Sequence, residues 1–130
     1  MPRTRATATS VTVTTTTETV VATLPPITAQ AGQPVDLLAE VDLTTGTGVT
    51  AVTFNIRRGT TTSGTLVQAI GPVAASASTR IAQVVEAIDT QNSDIAGQQY
   101  VITVVQAGAT GNGTANYGEI RADWTSPGTV

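Results

Sequence analysis

From residue 10 onward, apolar and polar residues alternate in short runs separated by turn residues. The clearest run is Val35, Leu37, Ala39, Val41 and Leu43, interleaved with Asp36, Leu38, Glu40 and Asp42. A repeat of two is that of a strand, so this run predicts one buried face and one acidic, wetted face. Val52, Phe54 and Ile56 repeat the pattern against Thr53, Asn55 and Arg57. Tyr100, Ile102 and Val104 oppose Val101, Thr103 and Val105, and Ile120, Ala122 and Trp124 oppose Tyr117, Glu119, Arg121 and Asp123. Near the start, Val11 and Val13 share one parity and Val20, Ala22 and Leu24 the other. Such a switch means a bulge, a bend or two short strands. Pro25-Pro26 ends that element, and Gly71-Pro72 ends a short strand over Leu66 to Ile70, because proline donates nothing to a ladder. Residues 79–89 fit both periods. Ile81, Val84, Val85 and Ile88 have helical spacing, yet a strand buried partly on both faces fits as well. A strand is favoured, since a lone helix among strands would have no helical partner.

This pattern predicts an all-β fold: an antiparallel β-sandwich of seven or eight strands, jelly-roll or Ig-like. Residues 1–9, basic and without alternation, read as an N-terminal arm, residues 10–125 as the sandwich, and residues 126–130 as a tail. One local test separates topologies. A hairpin of 35–43 with 50–58 would place Asp36 opposite Arg57; a jelly roll would send the two strands to different sheets.

Composition strengthens the strand reading. The 130 residues include 27 Thr, 16 Val and 8 Ile, and a branched Cβ suits a pleated sheet better than a helix. The chain has no cysteine, histidine or lysine, which removes disulfides, Cys/His zinc sites, a histidine base, a cysteine nucleophile and the P-loop lysine. The reading is therefore of a protein that is not an enzyme and needs no cofactor. A net charge of −3 with four aromatic residues argues against a nucleic-acid partner. Arg3 and Arg5 precede no apolar run of about 7–15 residues, so no signal peptide is read. No apolar stretch approaches the roughly 20 residues of a membrane helix, so no membrane partner is expected and the chain is taken to be made, and stay soluble, in the cytoplasm.

Few residues offer chemistry. Asp36, Glu40 and Asp42 share a strand face, with neighbours about 7 Å apart. That spacing approaches a glycosidase pair or a calcium seed, but a solvated face with cross-strand partners is the simpler reading. Arg57-Arg58 adjoins the hydroxyl-rich loop Gly59–Gly64. Adjacent strand residues point to opposite faces, so these arginines do not form one fork; ion pairing, within the subunit or across an interface, suits them better. Asn112-Gly-Thr114 matches a glycosylation acceptor and, more simply, a tight turn. Trp124, the single tryptophan, reads as a core or interface anchor. Arg3, Arg5, Arg57, Arg58 and Trp124 are the interface candidates.

Two segments resemble stretches of known proteins: Val52-Thr-Phe-Asn-Ile-Arg-Arg-Gly-Thr-Thr-Thr-Ser-Gly-Thr-Leu-Val67 and Gly97-Gln-Gln-Tyr-Val-Ile-Thr-Val-Val-Gln-Ala-Gly-Ala-Thr-Gly-Asn-Gly-Thr114. Both are similar to strand-and-turn stretches of small all-β structural virion proteins of bacteriophages, such as capsid decoration and head-fibre proteins. The resemblance spans roughly residues 10–125 and carries no functional residue across. It implies a virion location after assembly in the host cytoplasm, with the major capsid protein or other virion proteins as partners. It also implies a homo-oligomer, often a trimer. The leading expectation is a capsid decoration protein, with residues 1–24 making contacts to neighbours. The alternatives are a binding module that captures a ligand through loops 59–64 and 108–113, and a self-assembling capsid or filament subunit.

Overall fold

The computed structural model describes residues 2–124, all in strands and loops with no helix among them. The tail at 126–130 lies outside the described residues. The strands are β1 (Arg3–Val13), β2 (Thr19–Thr23), β3 (Ile27–Ala29), β4 (Pro34–Thr44), β5 (Ala51–Arg58), β6 (Thr65–Ala74), β7 (Arg80–Thr90), β8 (Ile95–Gln98), β9 (Tyr100–Ala107) and β10 (Gly113–Asp123). Two four-stranded antiparallel sheets, ordered β1-β10-β4-β7 and β2-β9-β5-β6, form the sandwich, and β3-β8 is a two-stranded addition.

The topology reduces to one folded ribbon. First pairs with last, second with second-last, and so on: β1 with β10, β2 with β9, β3 with β8, β4 with β7, β5 with β6. Each pair is centred close to the 59–64 loop: Arg3 faces Asp123, Leu37 faces Ala87 and Arg58 faces Thr65. Two further pairings, β10 with β4 and β5 with β9, join the rolled ribbon to itself. This is the jelly-roll arrangement, not the Ig-like one. It also decides the hairpin test. β4 lies in the first sheet and β5 in the second, so Asp36 faces Asp123 and Ile88 rather than Arg57.

Three sequence expectations are revised, and one left open is decided. Residues 3–9 are not an arm: they open β1, an edge strand paired with β10. Their inward side chains include Thr4, Ala6 and Ala8, too small to give an apolar signal. The parity switch after Val13 marks two strands in different sheets, since β1 and β2 are separated by the loop 14–18. Gly71-Pro72 does not end β6. The strand runs on through a cis Gly71–Pro72 bond, which an edge position tolerates. Gly71 has φ +130° and lies so close to β5 that a Cβ there would be 2.8 Å from the Val52 carbonyl oxygen. Finally, the strands number ten rather than seven or eight, because β3 and β8 are too short to show a period. Residues 80–90 form β7, as favoured.

The core between the sheets is built from small and branched side chains around Phe54, Ile56, Leu37, Leu43, Ile102 and Ile120, each at most 3% exposed. The sheets approach closely at Gly118, where an added Cβ would fall 2.3 Å from a Val21 methyl. Polar groups close both ends of the interior. At one end, Gln106 accepts from the Gly46 N–H (2.7 Å) and donates to the Thr15 carbonyl (3.0 Å). At the other, Asp89 accepts from Tyr100 Oη (2.6 Å), from Gln91 and from two nitrogens of Arg58.

Candidate interaction surface

The predicted site residues divide between a structural group and a surface group. Arg57 and Arg58 do point apart. Arg57, on the outer side of the second sheet, makes a two-pronged pair with Glu18 from the β1–β2 loop, at 2.6 and 2.9 Å. The Thr103 hydroxyl donates to the same carboxylate at 2.6 Å. Burial pushes the Glu18 carboxyl up, but the Arg57 guanidinium and the Thr103 hydroxyl outweigh it and hold it below its usual value. Arg58 turns inward and ties β5 of one sheet to Asp89 on β7 of the other. Burial likewise raises the Asp89 carboxyl, and Arg58 and Tyr100 bring it below its ordinary value. The Tyr100 phenol is pushed well above its usual range, first by burial and then by the carboxylate it donates to. Both arginines thus hold the fold together within the subunit.

Arg3 and Arg5 belong to the surface group. The outer face of the β1-β10-β4-β7 sheet forms ordered cross-strand rows. Arg3, Asp123, Asp36 and Ile88 make one row, and Arg5, Arg121, Leu38 and Glu86 the next. Thr7, Glu119, Glu40 and Val84 follow, then Thr9, Tyr117, Asp42 and Ala82. With Arg80 beside Thr44, this face holds ten of the fifteen charged residues. By strand, the face carries Arg3 and Arg5 on β1, Glu119, Arg121 and Asp123 on β10, Asp36, Glu40 and Asp42 on β4, and Arg80 and Glu86 on β7. Three ion pairs bind the face internally: Arg3 with Asp123 at 2.6 Å, Arg5 with Glu119 at 3.4 Å, and Arg80 with Asp42. The hydrogen bonds from Arg80 hold the Asp42 carboxyl below its usual value. An open trough of about 640 Å³ crosses this face, lined by Arg3 and Arg121 on one side and by Asp36, Glu86 and Ile88 on the other.

The acidic strand face read from Asp36, Glu40 and Asp42 is therefore part of a charged sheet surface. Among the described residues no group of three or more His, Cys, Asp or Glu is placed to hold a metal ion. Trp124 is half-buried against the edge of the core, and its backbone N–H donates to the Pro2 carbonyl at 3.2 Å. Asn112 sits in a turn whose side-chain oxygen accepts from the Thr15 N–H. Loops 59–64 and 108–113 follow Arg58 and Ala107 at opposite ends of the β5–β9 pair, about 23 Å apart along the strands. A small ligand cannot touch both.

The end carrying loops 14–18, 45–50, 75–79 and 108–112 is of a different kind. Its residues are almost all Thr, Ser, Gly, Ala, Val or Asn, and its one charged group, Glu18, is engaged by Arg57. Hydrogen bonds tie these loops together: Thr45 to the carbonyls of Ser76 and Thr79, Thr110 to Thr47, and Thr15 to Asn112. The sequence set Arg121 on the polar parity of its strand without singling it out, and it showed neither this neutral end nor Glu86, Val84 and Ile88 as surface residues. A hint was available in residues 80–90, where the even positions carry exposed Val84 and Ile88 opposite a buried odd face.

No protein-family model matches the sequence, and no curated protein matches it. Similarity appears at the level of structure. The VP2 subviral particle of infectious bursal disease virus superposes with a TM-score of 0.65 over 93% of this chain, at 11% identity. A D431N mutant of VP2 in derived T=1 particles gives 0.64 over 93% at 11% identity, and the T13 particle of the same virus gives 0.57 over 93% at 12% identity. This chain spans under a third of the length of those capsid chains, 32%, 31% and 30% respectively. At such identities the likeness is one of fold: over nearly its whole described length, the chain shares the jelly-roll architecture of a capsid domain.

Proposed function

We propose that this chain is a structural subunit of a virus particle, working by shape and contact rather than chemistry. The observation that carries the reading is the whole-chain match of the rolled ribbon to VP2 domains in assembled particles. The rigid sandwich with hydrogen-bonded loop ends and a patterned charged face suits a body that packs against neighbours. In its specific form, the proposal is a decoration protein on a bacteriophage capsid, bound to the major capsid protein and clustered as a trimer. In that role the neutral loop end packs at the symmetry axis, where bringing like charges together would cost several kcal/mol. The test is to add purified protein to particles lacking it and follow their disruption on heating. Particles that bind it and resist higher temperature support the proposal; absence of the chain from purified virions, with no binding to shells, overturns it.

A second reading has its own support, since the matched VP2 chains are themselves the substance of their particles. Under it this chain builds a shell alone. Negative-stain microscopy of the pure protein separates the two: closed shells favour a capsid subunit, and small discrete oligomers favour decoration.

A further inference from the structure

Open sheets have edges, and folded proteins normally blunt them with short strands, bulges, proline or charge. Three of the four main edges here are blunted. β1 carries Arg3 and Arg5, and its pairing with β10 is interrupted beside Ser10, which has φ +53°. β2 has only five residues and a register shift. β6 contains Gly71-Pro72 and pairs with β5 through two register shifts. β7 has only charge among these devices, and its outward charges, Arg80 and Glu86, are of opposite sign. It runs eleven residues without proline, glycine or bulge, in unbroken register with β4. Among the described residues, no backbone group of 80–90 bonds to another strand on its far side; only the Gln83 amide reaches the Val84 carbonyl, at 2.9 Å. Two of its side chains, Val84 at 47% and Ile88 at 69%, are apolar and strongly exposed.

We propose that β7 is an assembly edge that pairs with β7 of a second copy, antiparallel about a two-fold axis. The charges on the strand select the occupant and the register. Arg80 and Glu86 sit on the same outward face, and among the described residues Glu86 makes no ion pair. Placing Gln83 on the axis sets Arg80 of each copy opposite Glu86 of the other, with Ala82 opposite Val84. Two reciprocal ion pairs form, each Arg80 bridging Asp42 of its own chain and Glu86 of the second copy. The two β1-β10-β4-β7 sheets then run on as one eight-stranded sheet, and the Gln83 amide yields its carbonyl to a strand N–H. A symmetric contact of this kind requires a strand that is complementary to itself reversed. The two arginines of β1 would instead place like charges together. The inference rests on the edge chemistry of β7 and stands whether or not the chain serves in a virion.

Sedimentation of the full chain tests it. The wild type dimerises, and Glu86→Arg and Arg80→Glu each raise the dissociation constant about tenfold or more, by setting like charges opposite each other twice. Mixing the two variants restores the dimer as a heterodimer, because each Arg then meets a Glu; this recovery shows that neither variant has merely lost its fold. A monomeric wild type overturns the proposal. So does a dimer indifferent to both changes, a dimer lost instead on Arg5→Glu, or a mixture of variants that fails to associate.

Discussion

At the scale of single residues, the Arg58–Asp89–Tyr100 cluster is where most is at stake. Asp89 is 6% exposed and Tyr100 fully buried, so each needs its partners. Removing the cation by Arg58→Ala leaves a buried carboxylate facing only Tyr100 and Gln91. A cost of about 2–4 kcal/mol is expected, against about 1–2 for Tyr100→Phe, read from urea unfolding midpoints. The pH dependence follows from the same contacts. Asp89 and Glu18 both have folded-state values below their unfolded ones. Their contribution is complete above the ordinary carboxylate values, near pH 4, and is lost as the pH falls from there through the depressed folded values. Tyr100, shifted the other way, contributes fully below about pH 10 and loses its contribution as the pH rises further. Stability is therefore flat at neutrality, falling on the acid side and again in strong alkali. In Asp89→Asn the acid fall is shallower, though the protein is less stable throughout. None of these partners was visible in the sequence, because Arg57 and Glu18 are separated by 39 positions and Arg58 and Asp89 by 31.

At the scale of the elements, legibility followed side-chain size. β4 could be read directly because large apolar residues alternate along it and its burial follows the alternation residue by residue. β9 showed as a nearly unbroken run of branched and aromatic residues, and β10 through Ile120 and Ala122 against Glu119, Arg121 and Asp123. The first half of β1 has the same alternation but writes it in Thr and Ala, so it passed for an arm. Which strands pair was not legible at all, since hydrogen-bonded partners leave no mark on each other's local pattern. The close approach of the sheets at Gly118 is a tertiary fact of this kind. Gly118→Ala should cost about 1–3 kcal/mol by driving a methyl into Val21. If that clash is the cause, Gly118→Ala combined with Val21→Ala is more stable than the sum of the single effects; a strictly additive double variant would place the cost elsewhere.

At the scale of the whole molecule, the ribbon sets the folding problem. Only the β5–β6 pair is local, and every later pair joins segments farther apart, up to Arg3 with Asp123. Such a topology should fold in about milliseconds to seconds, slowly for its length, by stopped-flow refolding of Trp124 fluorescence. Substitutions at the tip, such as Gly64→Ala, where the added Cβ would lie 2.2 Å from the Arg58 carbonyl oxygen, should slow folding if the ribbon closes from that end.

The neighbouring positions of Pro2 and Trp124 have a mechanical consequence. A tether on each end pulls β1 and β10 apart across their shared ladder, so hydrogen bonds break one after another from Arg3–Asp123 inward rather than all at once in shear. Under tension the molecule behaves as a zipper with its tab at the two ends. An anchor at the 108–112 loop, which lies at the opposite end of the sandwich, drawn against either terminus would load the strands lengthwise and meet far greater resistance. Single-molecule pulling through the two attachment geometries should give a low and a high rupture force respectively. In any assembly that carries load, this body is strong along its strands and weak where its ends meet.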